Sequence, residues 1–175
     1  MKELPPDNDT QGLGKFMAII AWVLILVLLS LFFNHWYSNL ATTPEIVTTD
    51  GTQQTIIKRN NKNQYLTEGT INGKAAVFLL DTGSTDIVIP GQIARELHLQ
   101  HGYESLATTA GGNIVVYQTY LDTVTIGHIT LHHLPASVNA NMGGNEILLG
   151  MTALKRINFF QQGENLILTT PTPSR

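Results

Sequence analysis

The stretch AVFLLDTGSTDIVIP, Ala76 to Pro90, sets a small polar knot between two apolar runs. Val77 to Leu80 read as a buried strand, yet an ionisable Asp81 follows them directly. Asp, Thr, Gly and Ser all favour turns, and an Asp bonds its own backbone two residues on, so the four residues alone predict a loop. The frame asks for more. Apolar strands on both sides hold Asp81 at the edge of the interior, where an unpaired carboxylate is costly. A cost of that kind commonly marks a site whose proton affinity is being tuned.

One chemistry fits such a carboxylate. Two of them about 3 Å apart cannot both ionise, so they share a proton. The ionised member takes a proton from a bound water while the protonated member donates to a scissile carbonyl. In this reading Gly83 lets two loops approach without side chains between them, Thr82 bonds across to the partner loop, and Ser84 bonds the outer oxygen of Asp81. The chain carries a single framed motif: TTDGTQQ around Asp50 has the wrong order and no apolar frame, and YLDTVTIG around Asp122 has no Gly after its Thr. The second carboxylate is therefore expected from a second copy of the chain, with Asp81 facing its twin across a two-fold axis.

The surrounding pattern is mostly β from Thr55 onward. Asn72-Gly73 between two strand-like runs predicts a tight hairpin. IVIP is a short strand, and GQIARELHL spaces Ile93, Leu97 and Leu99 along part of a helical face. The β-branched run from Glu104 to Ala140 is broken at Gly111-Gly112-Asn113 and at Gly127-His128. EILLG predicts a buried strand, MTALKRI a short helix and ENLILTT a closing strand. Many short strands with two small helices predict a compact, barrel-like β domain.

Apolar strand, DTGS, IVIP, a glycine-tipped hairpin, then ILLGMTAL about 65 residues after Asp81 together resemble the retropepsin-like aspartic proteases, most of all the bacterial members with an N-terminal membrane anchor. The likeness covers roughly residues 60 to 170. It implies a mostly β fold, a closed β-barrel half with short helices, preceded here by one transmembrane helix. It implies Asp81 as the catalytic residue, once per subunit, with Leu148-Leu149-Gly150 packed beside its loop. It implies a flap whose tip is Ala110, Gly111, Gly112 and Asn113, an obligate homodimer acting on a peptide or protein substrate, and no metal or organic cofactor. There is a departure. Many viral members place an Arg after the Gly of the second element, paired with an acid near the catalytic loop. That place is Met151 here, and the partner position holds Thr85, with Asp86 next to it.

The N-terminal part predicts a membrane anchor. Phe16 to Phe33, FMAIIAWVLILVLLSLFF, has no charge over eighteen residues, enough to cross a bilayer as a helix. The run exceeds the h-region of a cleavable signal peptide, and no A-x-A site follows it. Lys2 and Lys15 precede the span, while no Lys or Arg follows it before Lys58. The N-terminus is then cytoplasmic and the bulk of the chain periplasmic, on a bacterial inner membrane. Trp36 and Tyr37 fall where an aromatic belt belongs. The predicted organisation is a cytoplasmic tail (1–12), an anchor (13–36), a flexible linker (37–55), the protease domain (56–170) and a disordered tail (171–175). A flexible linker of this composition would reach about 20–25 Å and lie open to cutting. The chain has no Cys, so no disulfide is required. A net charge of −3 with no basic patch argues against nucleic acid as a partner.

His128, His132 and His133 invite a metal reading. Ile129 and Thr130 favour a strand, which puts His128 and His132 about 13 Å apart, too far for one ion; exposed strand histidines are expected. Two functions fit the whole: a membrane-anchored aspartic endopeptidase, or a non-catalytic membrane-tethered module that holds a peptide or partner on the same fold. The four residues Asp81 to Ser84 favour the first, because a binding module has no need of a costly carboxylate.

Overall fold

A computed structural model describes residues 9–37, 41–49, 51–109 and 111–171. The chain divides into two compact units, Met1–Leu40 and Ala41–Arg175. In the first, α1 (Asp9–Tyr37) is a single 29-residue helix. Its stretch Gly14–Phe32 has mean hydropathy 2.6 and no residue buried against protein. A helix apolar on every side is suited to lipid rather than to water. By length and composition it is apolar enough to cross a membrane, a test that a signal sequence near the N-terminus also passes.

The second unit is built almost entirely of strands: β1 (Glu45–Thr49), β2 (Thr52–Lys58), β3 (Tyr65–Ile71), β4 (Lys74–Leu80), β5 (Val88–Pro90), β6 (Glu104–Thr109), β7 (Gly112–Ile126), β8 (Ile129–Asn139), β9 (Glu146–Leu149), β10 (Asn158–Gln162) and β11 (Asn165–Thr169). Two short helices interrupt them, α2 (Gly91–Glu96) and α3 (Met151–Leu154). Seven strands run in the order β3-β4-β9-β5-β8-β7-β6, and β3 also pairs with β7 through Thr70↔Thr125 and Ile71↔Val124. That extra pairing closes the sheet into a barrel, so inward side chains fill a common core. Phe78, Ile87, Ile89, Leu121, Ile147 and Leu149 are almost wholly buried in it.

The hairpins follow their turn chemistry. Asn72 and Gly73 both have positive φ, 50° and 77°, and join Ile71 to Lys74, as an Asn-Gly two-residue turn requires. Gly127 at φ 57° leads the turn between Ile126 and Ile129. Most described elements thus fall where the sequence places them.

The linker is the correction. Residues 37–55 are expected as a flexible tether, but β1 and the first part of β2 lie in that range and form a hairpin, with Thr49↔Thr52 at the turn and Gly51 at φ 75°. β2 then pairs with β11, giving a second, four-stranded sheet in the order β1-β2-β11-β10. Ile57, Leu166 and Leu168 of this sheet belong to the same apolar cluster as the barrel. Upstream of β1, the Thr42 N–H donates to Leu66 O and the Glu68 N–H to Thr42 O. The folded unit therefore starts near Ala41, not Thr55, and the segment expected to be open to cutting is paired. Asp50-Gly51 between Thr-rich runs was a legible hairpin signal, because Thr is β-branched and suits a strand despite its polarity. NFFQQ, which forms β10, was likewise not anticipated.

Candidate active site

Asp81 stands at the C-terminal end of β4, where the strand leaves the barrel. β4 runs parallel to β9 with Leu80 opposite Leu149, and the Asp81 N–H donates to Leu149 O at 3.2 Å. The chain then turns: the Ser84 N–H donates to Asp81 O at 3.2 Å, and the Gly83 N–H donates to Asp81 Oδ1 at 2.9 Å. One carboxylate oxygen is thus held by the loop's own backbone, the Asx turn that the sequence suggests. Asp81 is half-buried, and Thr82 and Gly83 are exposed.

Ser84 corrects an expectation. Its hydroxyl donates to Asp86 O at 3.0 Å instead of to the Asp81 carboxylate. It braces the far side of the loop, two residues on, the short-range bond that Ser readily makes.

The second element grips the loop from below. Gly150 follows β9 and begins α3, whose first N–H groups have no partner inside so short a helix. They find it in the loop: Met151 N–H donates to Ser84 O at 2.9 Å and Thr152 N–H to Thr85 O at 2.8 Å. The Thr152 hydroxyl adds a 3.0 Å bond to Thr85 O and stands 3.4 Å from Asp86 Oδ1. So close an approach requires Gly150, because a Cβ there would lie 2.6 Å from Ser84 O and closer still to Asp86 O. Leu149 is 1% exposed beneath it, and Leu148 faces the cleft. In place of an Arg–acid pair, backbone amides and one Thr hydroxyl hold this loop. Thr152 was missed at the sequence level, since a Thr two residues past a Gly carries no signal until the helix start is seen to meet a loop.

Opposite the loop stands the β6–β7 hairpin. Thr109 pairs with Gly112, whose φ is 110°. Its threonines knit the tip: Thr109 Oγ1 donates to Gly112 O at 2.8 Å and accepts from Gly111 N–H at 3.2 Å, while Thr108 Oγ1 donates to Asn113 Oδ1 at 3.0 Å. Ala110 lies outside the described residues. Between loop and hairpin is a groove of about 320 Å³, with Asp81, Gly83, Ser84 and Asp86 on one side and Thr108, Thr109 and Ile114 on the other. Ser137, Asn139 and Met142 also border it, and none of them was singled out in the sequence. Gly111, Gly112 and Asn113 sit at the tip of the hairpin and do not line the groove.

The histidines separate by environment. His132 and His133 are exposed on β8, as expected of strand histidines. His128 is not: it sits in the β7–β8 turn, half-buried, with Nδ1 2.7 Å from the Thr55 hydroxyl of β2. The same hydroxyl accepts from the His128 backbone N–H at 3.2 Å. Nε2 is buried with no hydrogen-bond partner among the described residues. Burial holds the His128 imidazole below its usual 6.5, because the charged ring would lose its water. Among the described residues, no three His, Cys, Asp or Glu side chains are grouped to hold a metal ion.

The folded unit is similar to known structures. A retropepsin-like aspartic protease from Rickettsia conorii superposes with a TM-score of 0.54 at 24% identity, over 73% of this chain and 94% of that one. The EIAV protease complexed with the inhibitor HBY-793 gives a TM-score of 0.45 at 21% identity, over 55% of this chain and 89% of that one. Among curated proteins, an uncharacterized protein in the cobV 5'region of Sinorhizobium sp is 26% identical over 119 residues, 66% of this chain and 51% of the relative. The chain thus spans about half the length of that relative. Residues 67–156 match the family model described as "gag-polyprotein putative aspartyl protease". That match takes in the Asp81 loop, the β6–β7 hairpin and the Gly150 turn, and with the barrel around them it places this chain in the retropepsin-like aspartic protease family.

Proposed function

We propose that the chain is a membrane-anchored aspartic endopeptidase that works as a homodimer. The observation that carries this reading is Asp81 itself. One oxygen is fixed by Gly83 N–H, and the residue borders a groove open to an extended peptide. The groove of one subunit holds one framed catalytic carboxyl, so the reaction needs the Asp81 of a second copy. With the two close together, one is ionised and one protonated. The ionised member removes a proton from a water. The oxygen of that water bonds to the peptide carbonyl carbon, and the protonated member gives its proton to the carbonyl oxygen. The tetrahedral diol then collapses: the Asp81 that took the water's proton passes it to the amide nitrogen, the C–N bond breaks, and the other Asp81 carboxylate takes a proton from a diol hydroxyl, which restores the one-proton pair. Every atom needed is supplied by two Asp81 side chains, one water and the peptide.

Residues 13–36 would anchor the enzyme, with residues 1–12 in the cytoplasm and the folded unit in the periplasm. The support is the apolar helix and the placement of Lys2 and Lys15 before it. Two chains confined to one membrane meet at raised effective concentration, which favours the dimer even without an Arg–acid pair.

The test compares the full chain with Asp81→Asn, both in lipid vesicles, incubated with an unstructured protein from about pH 3 to 8. Asparagine keeps an oxygen for Gly83 N–H but cannot hold or release the proton. The expected result is cleavage, read by mass spectrometry, that falls by about 10²–10⁴-fold in Asp81→Asn while the melting temperature stays close to that of the parent. Cleavage undiminished in Asp81→Asn would reject the mechanism. A folded dimer that cuts nothing would point to the non-catalytic module.

A further inference from the structure

A second groove, of about 520 Å³, lies on the folded unit and shares no lining residue with the groove at Asp81. It is formed by the segment from His98 to Tyr103, the middle of β7 and the Asn72 turn. Nothing in the reaction above uses it. Two rings border it, Tyr103 and Tyr120, each 74% exposed. A tyrosine ring offers a large amphipathic face and loses little freedom when that face is covered.

The irregular segment that carries Tyr103 is held by its backbone. Leu99 N–H donates to Ala94 O at 2.9 Å, and Gln100 O accepts the Thr119 hydroxyl at 2.7 Å. Gly102 N–H donates to Gln118 O at 2.7 Å, while Gln118 N–H donates to Tyr103 O at 3.0 Å. Two residues thus face one, the arrangement of a β-bulge, which re-aims side chains. A glycine is needed at 102, because a Cβ there would lie 2.8 Å from Gln118 O. The His101 ring stacks on Tyr117, with centroids 5.6 Å apart and planes 19° from parallel. A platform fixed in this way has little to reorganise when a ligand lands on it.

The polar groups around the rings decide the ligand. Asn72 Oδ1 accepts Thr123 N–H at 3.0 Å, which leaves its NH2 without a partner among the described residues. The Gln100 amide and the Asp122 carboxylate are exposed and likewise unpartnered there. Among the described lining residues there is no Lys or Arg, which argues against a phosphate or another anion. One carboxylate alone does not make a cation site. What remains is a pair of aromatic faces among planar amide and carboxylate groups. Such groups bond through two atoms at once, which suits neighbouring hydroxyls on a sugar ring, while the sugar's C–H face covers a tyrosine.

From this arrangement we infer that the groove binds an uncharged saccharide, a short linear stretch of hexose units. Tyr103 and Tyr120 carry the sugar rings, and Asp122, Gln100 and Asn72 bond their hydroxyls. The site goes beyond the protease reading and does not depend on it. It holds the folded unit on a polysaccharide while the groove at Asp81 stays free.

The experiment uses the full chain in sugar-free lipid nanodiscs, titrated with cellotetraose and, separately, with tetra-N-acetylchitotetraose. Binding is read by isothermal titration calorimetry. The parent is expected to bind at least one of them with a Kd of about 0.1–1 mM, as an open but preformed groove should. Tyr103→Ala and Tyr120→Ala should each weaken that binding about tenfold, with melting temperatures unchanged because both rings are exposed. Tyr103→Phe and Tyr120→Phe keep the faces and should stay within about threefold of the parent, whereas Asp122→Ala should lose about fivefold. Asp81→Asn should bind as the parent does. No binding of either oligosaccharide up to about 10 mM overturns the inference. So does undiminished binding when both tyrosines are replaced by Ala. A loss of binding in Asp81→Asn overturns it too, since the sugar would then sit at the other groove. None of these outcomes touches the protease reading, which stands or falls on cleavage.

Discussion

At the scale of single residues, the candidate site is a loop tied down by its neighbours' backbone. Thr152 takes two roles there, donating from its amide and its hydroxyl to the same carbonyl, Thr85 O. Thr152→Val keeps the shape and removes only the hydroxyl, so it should destabilise the fold by about 1 kcal/mol. Thr152→Ser should restore most of that loss, read by denaturant titration. Gly150 is a question of space, since its φ of −86° is open to any residue. Gly150→Ala pushes a methyl into the carbonyls of Ser84 and Asp86. Relief requires the Asp81 loop and the second element to part, at a cost of about 1–3 kcal/mol. Activity should fall with it, and an Ala variant as stable and active as the parent would contradict the packing described.

At the scale of elements, the Thr55 hydroxyl of β2 meets the β7–β8 turn at two points, the His128 backbone N–H and the ring Nδ1. Gly127 lies so close to Thr55 that a Cβ would run into its side chain, and His128 Nδ1 meets the same hydroxyl. Protonating His128 would put a charge where Nε2 has no acceptor among the described residues. The folded-state value lies below 6.5. Between it and 6.5 the unfolded chain takes up a proton that the folded chain refuses. Stability is then full above about pH 6.5 and declines as pH falls through that window, levelling off below the folded value. His128→Asn offers an oxygen to Thr55 without titrating. The difference in unfolding free energy between parent and His128→Asn should therefore shift against the parent on going from about pH 7.5 to 5, measured by urea titration at each pH. A difference that does not change with pH would mean that the ring keeps its water when folded.

At the scale of the whole molecule, the extent of the folded unit matters most. Contacts place its start near Ala41, with β1 and β2 as part of it. A chain cut to begin at residue 56 loses β1 and most of β2 and uncovers Leu166 and Leu168, which pack in the common core. Such a chain should express as an unfolded or aggregated product, whereas one beginning at residue 41 should give a cooperative melt; circular dichroism separates the two. Equal melts would return residues 41–55 to the status of a linker.

The sequence by itself determined those features whose signal is local. Asn72-Gly73 can make its turn only with left-handed backbone, the break at Gly111 to Asn113 predicts its hairpin, and the frame of apolar strands around Asp81 announces a carboxylate at the interior's edge. The uncharged run from Phe16 to Phe33 is a property of composition alone. Tertiary structure decided what depends on residues far apart in the chain. Ser84 turns to Asp86 O because the loop curls toward its own far side. Thr152 matters because α3 starts against that loop, 67 residues from its partner Thr85. His128 is half-buried because β2, a polar Thr-rich strand, comes to lie over its turn. β2 exists as a strand because β11 offers it an edge and the barrel offers Ile57 a core, and β1 because β2 offers the next edge. The β1–β2 turn has its local signal in Asp50-Gly51, but the pairing of β2 with β11, more than a hundred residues on, leaves no trace in local spacing.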